Sequence, residues 1–131
     1  MNDTSASPYL PYVVEYENRP GYFFVHVTSG NQDLRTSRKI VREAAKEREK
    51  SGHHKVLVLL DLDERMPFAD IFWLASELPE LGLMDRTLAV VDTNPEHEPY
   101  ERFAEAAANF FDIRRQGFTS IEEAEQWLAS I

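Results

Sequence analysis

Two short runs of apolar residues constrain this fold more than any other feature of the sequence. Residues 55–61 read Lys-Val-Leu-Val-Leu-Leu-Asp, and residues 87–92 read Thr-Leu-Ala-Val-Val-Asp. A strand that is apolar at nearly every position is buried on both faces, which is typical of a parallel strand covered by helices. Each run is followed by apolar residues at helical spacing. The sequence therefore predicts an α/β fold with a mostly parallel sheet.

The N-terminal part of the chain predicts a β-hairpin in front of these units. Residues 12–17 and 22–28 are rich in β-branched and aromatic side chains, and Pro20-Gly21 between them suits a type II turn. Three helices are then predicted: one from the break at 29–31 through Lys50, one at 66–78 and one at 99–111. Residues 1–8 are expected to be a disordered leader, and residues 9–131 a single domain.

The C-terminal segment predicts a closing strand and helix. Ser120 and Glu123 have the spacing of a capping box, which opens an amphipathic helix. The buried face of that helix is expected to hold Ile121, Ala124, Trp127 and Leu128. Trp127 is therefore predicted to belong to the core rather than to a binding site.

The order of these elements, the Ser29-Gly30 pair before the first helix and the closing Ala124-Glu-Gln-Trp-Leu segment resemble the SpoIIAA-like (STAS-type) family. The resemblance covers most of the chain, residues 12–128. It implies a mixed sheet with helices packed largely on one side, and a role in binding or regulation. Sporulation regulators of that fold carry a phosphorylated serine near the start of the second helix. Residues 67–71 read Pro-Phe-Ala-Asp-Ile here, so this phospho-switch is not expected.

Composition excludes several classes of function. The chain has no cysteine, so it cannot form a disulfide, a thiolate nucleophile or a cysteine-bound zinc site. It has no apolar run of membrane-spanning length and no signal-peptide pattern at its start, so stable membrane insertion is not expected and a cytoplasmic location is the default expectation. A net charge of −9 argues against nucleic acid as a partner.

The strongest candidates for chemistry follow the first apolar run. Asp61, Asp63 and Arg65 lie where α/β proteins bind ligands, and we treat them as ligand-loop candidates. The Asp-x-Asp pair resembles that of haloacid-dehalogenase phosphatases, and the Met66-Pro67 that follows resembles receiver domains. The hydroxyl, the later lysine and the second acidic pair of those proteins are missing, however. We therefore expect no catalytic residue, metal or cofactor, and a magnesium-dependent phosphatase or receiver-like domain is the less favoured alternative.

Two surface features favour a binding function. Residues 35–50 hold seven basic and three acidic side chains, a net charge of +4, while the rest of the chain carries −13. Helical spacing places five of these basic residues on one face, which suits an acidic partner: Arg35, Arg38, Lys39, Arg42 and Lys46. In the second helix, Trp73 points away from an apolar face that is expected to hold Phe68, Ile71, Phe72, Leu74, Ala75 and Leu78.

The sequence thus predicts a non-catalytic regulatory or protein-interaction domain that binds a protein partner or a second copy of itself. The alternative is a binder of a small apolar or lipid-like ligand, since the lipid-binding Sec14-like proteins share the broad topology. Its pocket is expected under the aromatic residues of the second and third helices: Phe68, Phe72, Tyr100, Phe103, Phe110 and Phe111. The four histidines lack the spacing of a metal site: His26, His53, His54 and His97.

Overall fold

The computed structural model describes residues 12–29, 33–83 and 87–131. Within them, a five-stranded sheet carries four α-helices. The strands are β1 (Tyr12–Arg19), β2 (Tyr22–Ser29), β3 (Lys55–Asp61), β4 (Thr87–Asp92) and β5 (Arg114–Phe118). The helices are α1 (Leu34–Ser51), α2 (Phe68–Glu77), α3 (Glu98–Phe110) and α4 (Ile121–Ala129). The predicted leader at residues 1–8 lies outside the described residues.

The strands follow one another across the sheet in chain order, β1-β2-β3-β4-β5. β1 and β2 are antiparallel, and every later neighbouring pair is parallel. Successive crossovers of one hand therefore place α1, α2 and α3 on the same face of the sheet. The predicted α/β fold, its hairpin and its mostly parallel sheet are confirmed. No helix of the described residues combines the length and apolarity that crossing a membrane requires.

The sheet separates two cores. On the face of α1, α2 and α3, the core includes Phe23, Val56 and Ala108. On the opposite face, α4 is the one helix of the described residues that covers the middle of the sheet, and Leu57 of β3 is fully buried beneath it. Alternate residues of β3 and β4 therefore feed different cores, which explains why both strands are apolar at successive positions.

Local signals fix the ends of the helices. Asp33 caps α1 by accepting a hydrogen bond from the Thr36 amide at 2.7 Å, and Gly52 ends the helix in the left-handed conformation, with φ 79°. Ser120 caps α4 by accepting from the Glu123 amide at 3.2 Å, as the capping box predicts. Because these signals are local, the sequence alone is enough to place them.

The predicted apolar face of α2 is wrong at two positions. Phe68 and Phe72 are 46% and 36% exposed, respectively. The buried stripe of the helix consists of Ile71, Ala75 and the following Leu78. The helix runs only from Phe68 to Glu77, and it packs mainly against α3. The rings of Phe68 and Phe72 therefore lie on the solvent side of the contact between α2 and α3, not in the core.

Trp127 packs against the core under α4, as the sequence predicts, but it is only partly buried. It is half-buried at the edge of the α4 core, where its ring centroid lies 5.6 Å from that of Phe118. Leu128 and Ala124 occupy the deep positions, with 2% and 0% exposure. The cost of truncating Trp127 therefore falls below the roughly 3–5 kcal/mol of a fully buried ring.

We expect Leu128→Ala to lower the free energy of unfolding by about 2–5 kcal/mol, because it opens a cavity under the only helix on its face of the described sheet. Urea denaturation of wild type and variant measures this change. Ile131→Ala is the matched control, since that side chain is 45% exposed and its removal is expected to be nearly neutral. Equal stability of all three proteins would show that α4 is not docked as described.

Candidate functional site

The two aspartates of the Asp-x-Asp motif lie apart on the surface. Asp61 is exposed at the end of β3, where its Oδ2 is 3.9 Å from His26 Nε2. Asp63 is exposed in the following loop, and its carbonyl oxygen is 3.3 Å from His97 Nε2. Within residues 12–29, 33–83 and 87–131, no group of three histidine or carboxylate side chains is placed to hold a metal ion.

Arg65, expected in an open ligand loop, is instead buried in a network of charges at the carboxyl edge of the sheet. Its Nη1 donates to Asp92 Oδ2 at 3.1 Å and to Glu101 Oε1 at 2.9 Å. Arg115 donates to both oxygens of Glu101, at 2.8 and 2.9 Å. His97 Nδ1 lies 2.8 Å from Asp92 Oδ2. We call these five residues the charge network; it joins the loop after β3, the end of β4, α3 and β5.

Burial makes this network energetically demanding. The side chains of Arg65 and Asp92 are 7% and 3% exposed, so each charge has lost nearly all of its water. Burial alone raises the pKa of the Glu101 carboxyl, but the charges and hydrogen bonds of Arg115 and Arg65 outweigh it and lower that pKa below its usual value. Two guanidinium groups are thus balanced by two carboxylates, which satisfies the network internally.

Gly117 of β5 makes room for this network. A Cβ atom at this position would lie 2.6 Å from Glu101 Oε2, which is closer than real Cβ atoms approach. The Gly117 amide also donates to Glu105 Oε2 at 2.9 Å. A glycine in the strand therefore lets α3 bring two carboxylates against the sheet.

An open cleft of about 760 Å³ lies beside the network, between α3 and α4. It is lined by five carboxylates, those of Asp92, Glu98, Glu101, Glu105 and Glu123. Each of them accepts from a donor of this same chain; Glu98, for example, accepts from Arg102 at 2.7 Å. The cleft therefore offers an acidic lining whose members are already engaged.

A second cavity, of about 180 Å³, lies between the sheet and the helices α1, α2 and α3. Its walls are almost entirely aliphatic, and the helices contribute small residues to it: Ala44, Ala75, Ala104 and Ala108. The six aromatic residues that were predicted to line a pocket do not line this one. This cavity is partly open rather than a closed void.

Four exposed aromatic rings lie on the outer side of α2 and α3. Phe68, Phe72 and Trp73 of α2 and Phe110 of α3 are 46%, 36%, 56% and 74% exposed. The Phe72 ring centroid lies 6.1 Å from that of Trp73 and 6.3 Å from that of Phe110. We call these four residues the aromatic surface. The outward direction predicted for Trp73 is confirmed; its role in binding stays a prediction.

The basic face of α1 is confirmed except at one position. Arg35, Lys39, Arg42 and Lys46 are exposed and form what we call the basic stripe. Arg38 instead makes two hydrogen bonds to the Glu77 carboxylate, at 2.6 and 2.7 Å. These bonds lower the pKa of Glu77 and tie α1 to α2. Arg38 is thus paired within the chain although its side chain is 39% exposed, and its role in partner binding stays a prediction.

Sequence reasoning missed four of the five members of the charge network: Asp92, His97, Glu101 and Arg115. Nothing in the sequence singles out His97, yet it is 5% exposed. Glu101 precedes Ala104 and Ala108 at intervals of three and four, so a carboxylate stands on the buried stripe of α3. Arg115 lies on β5, where it pairs with the buried Leu88 of β4. A charged residue on an apolar stripe was the available signal, because such a residue needs a buried partner.

No protein-family model and no curated protein sequence matches the chain. The resemblance to SpoIIAA-like domains therefore stays a prediction.

We expect Glu101→Gln to cost about 3–5 kcal/mol at neutral pH, because it leaves two buried guanidinium groups short of a counter-charge. The folded-state pKa of Glu101 is lower than its usual 4.5, so ionised Glu101 stabilises the fold above that pH. This contribution disappears as the pH falls through the folded-state pKa. The variant should therefore lose stability less steeply than wild type on acidification.

Urea denaturation over a series of pH values measures both effects. Glu98→Gln is the matched control, since Glu98 pairs with Arg102 on the exposed side of the same helix, with side chains 55% and 78% exposed. An exposed pair contributes only about 0–1 kcal/mol. If the unfolding free energies of Glu98→Gln and Glu101→Gln fell equally steeply with decreasing pH, the charge network would not be a source of acid sensitivity.

Proposed function

We propose that this chain is a non-catalytic interaction domain of the SpoIIAA-like type, and that it binds a second copy of itself through the aromatic surface. The observation that carries this proposal is the exposure of four neighbouring rings, up to 74% for Phe110. Monomeric domains seldom expose a contiguous apolar patch without a binding role. Tryptophan, present here as Trp73, is among the residues that most often dominate the energy of an interface.

The packing of the rings supports their use as a recognition surface. The Phe72 ring contacts the rings of Trp73, Phe110 and Phe111, with centroid distances of 5.3–6.3 Å. Phe68 contacts Tyr100 and Phe103 at about 5 Å. Rings held by their neighbours lose little conformational freedom on binding, which reduces the entropic cost of association.

The distribution of charge favours a second copy as the partner. The basic stripe belongs to a segment with a net charge of +4, and the rest of the chain carries −13. The Arg38–Glu77 ion pair links α1, which bears the stripe, to α2, which bears Phe72 and Trp73. A second copy offers both an identical apolar patch and acidic surface for the stripe. A two-fold arrangement lets one patch serve both subunits.

The arrangement of the polar groups supports a role without catalysis. Asp61 lies 3.9 Å from His26, Asp63 contacts His97 through its carbonyl oxygen, and Arg65 is engaged in the charge network. SpoIIAA-like regulators carry their phosphorylated serine near the start of the second helix, and residues 67–71, where α2 starts here, read Pro-Phe-Ala-Asp-Ile. Self-association is therefore proposed to depend on concentration rather than on phosphorylation.

We expect wild type to form a dimer and Trp73→Ala to weaken it by about 2 kcal/mol or more, roughly 30-fold or more in the dissociation constant. A symmetric dimer loses the ring on both sides, which enlarges the effect. Sedimentation velocity over a wide range of concentrations measures the dissociation constant directly. Phe110→Ala should also weaken the dimer, because Phe110 belongs to the same surface.

Val13→Ala is the matched control for these two variants. Val13 is 47% exposed but lies on β1, away from α2, so its removal should leave the dissociation constant unchanged. Monomeric wild type at every concentration would contradict the proposal. So would a dimer that Val13→Ala weakens as much as Trp73→Ala, since the contact would then lie elsewhere.

A further inference from the structure

We infer that the 180 Å³ cavity between the sheet and α1, α2 and α3 is a binding site for a small uncharged apolar molecule. Its size fits a substituted benzene ring or a short alkyl chain. An apolar cavity of about 150 Å³ is already large enough to bind benzene. The site is independent of the aromatic surface, because it lies on the inner side of α2.

The cavity is partly open, and its volume is large beside the gaps that a packed domain usually leaves. Interiors are packed about as densely as organic crystals, and few voids exceed the size of one water molecule. Here the helices place Ala44, Ala75, Ala104 and Ala108 opposite the sheet, while the large rings of Phe68 and Phe72 face outward. Large side chains at the alanine positions would have filled the space. The sequence instead keeps small side chains where the cavity lies.

The chemistry of the lining favours an uncharged apolar ligand. Three arginines reach the wall. Arg65 and Arg115 are matched by Asp92 and Glu101 in the charge network. Arg48 Nη1 donates to the His53 carbonyl oxygen at 3.0 Å. Most of the remaining wall is aliphatic, which suits an uncharged apolar ligand.

Two walls of the cavity can be changed without touching the charge network. Ala75 on α2 and Ala44 on α1 both line the space. Replacing either by leucine adds three carbon atoms to the cavity and competes with a ligand for the same volume. Ala129→Leu is the matched control, because Ala129 is exposed at the end of α4 on the other face of the sheet.

Toluene is a suitable probe, and methyl-resolved NMR reports where it binds. We expect saturable shifts of the Val58 and Leu74 methyl resonances, which line the cavity, and none at Leu128, which packs under α4. Toluene should also raise the melting temperature of wild type. Ala75→Leu and Ala44→Leu should each weaken binding at least tenfold, while Ala129→Leu should keep the wild-type affinity.

The same titrations decide against the inference if they give other results. Wild type that shows no saturable shift up to the solubility limit of toluene would overturn it. Equal binding by wild type and by whichever leucine variant folds would also overturn it, because the probe would then bind elsewhere. Shifts at Leu128 of the same size as those at Leu74 would assign the toluene to the α4 core instead.

Discussion

Two buried arginines and two buried carboxylates at the carboxyl edge of the sheet set the positions of most of the surrounding segments. Glu101 binds Arg65 and Arg115 at once, so α3, β5 and the loop before α2 must meet at distances of about 3 Å. Removing one partner leaves a buried charge uncompensated, which costs far more than the pair contributes when it is complete. We therefore regard the network as a source of conformational specificity, which the Glu101→Gln comparison addresses.

The network has a direct consequence for α2. Arg65 lies three residues before the helix begins, so holding Arg65 also holds the start of α2 between α1 and α3. The Arg38–Glu77 pair holds the other end. Polar contacts thus hold both ends of α2, and the helix does not depend on side chains that fill the space beneath it. A helix secured at its ends can leave a cavity under its middle.

The two sides of α2 present side chains of different size. Its inner side presents Leu74 and Ala75 to the aliphatic cavity, whereas its outer side presents Phe72 and Trp73 to solvent. The aromatic side chains of α2 therefore lie on the outside of the domain, and its smaller side chains lie on the inside. This arrangement costs stability in a monomer, because it exposes rings and leaves a cavity. The proposed functions account for this cost, because the outer side would bind a second subunit and the inner side a small molecule.

The sequence by itself determined β3, β4, the hairpin and the caps at Gly52 and Ser120, because strand burial, turns and helix caps depend on residues a few positions apart. Tertiary structure alone decided which face of α2 is buried and that Arg65 pairs with Glu101, 36 residues away. It also decided that Trp127 lies at the edge of its core and that a cavity remains under α2. These properties depend on the distances between elements, which no local pattern encodes.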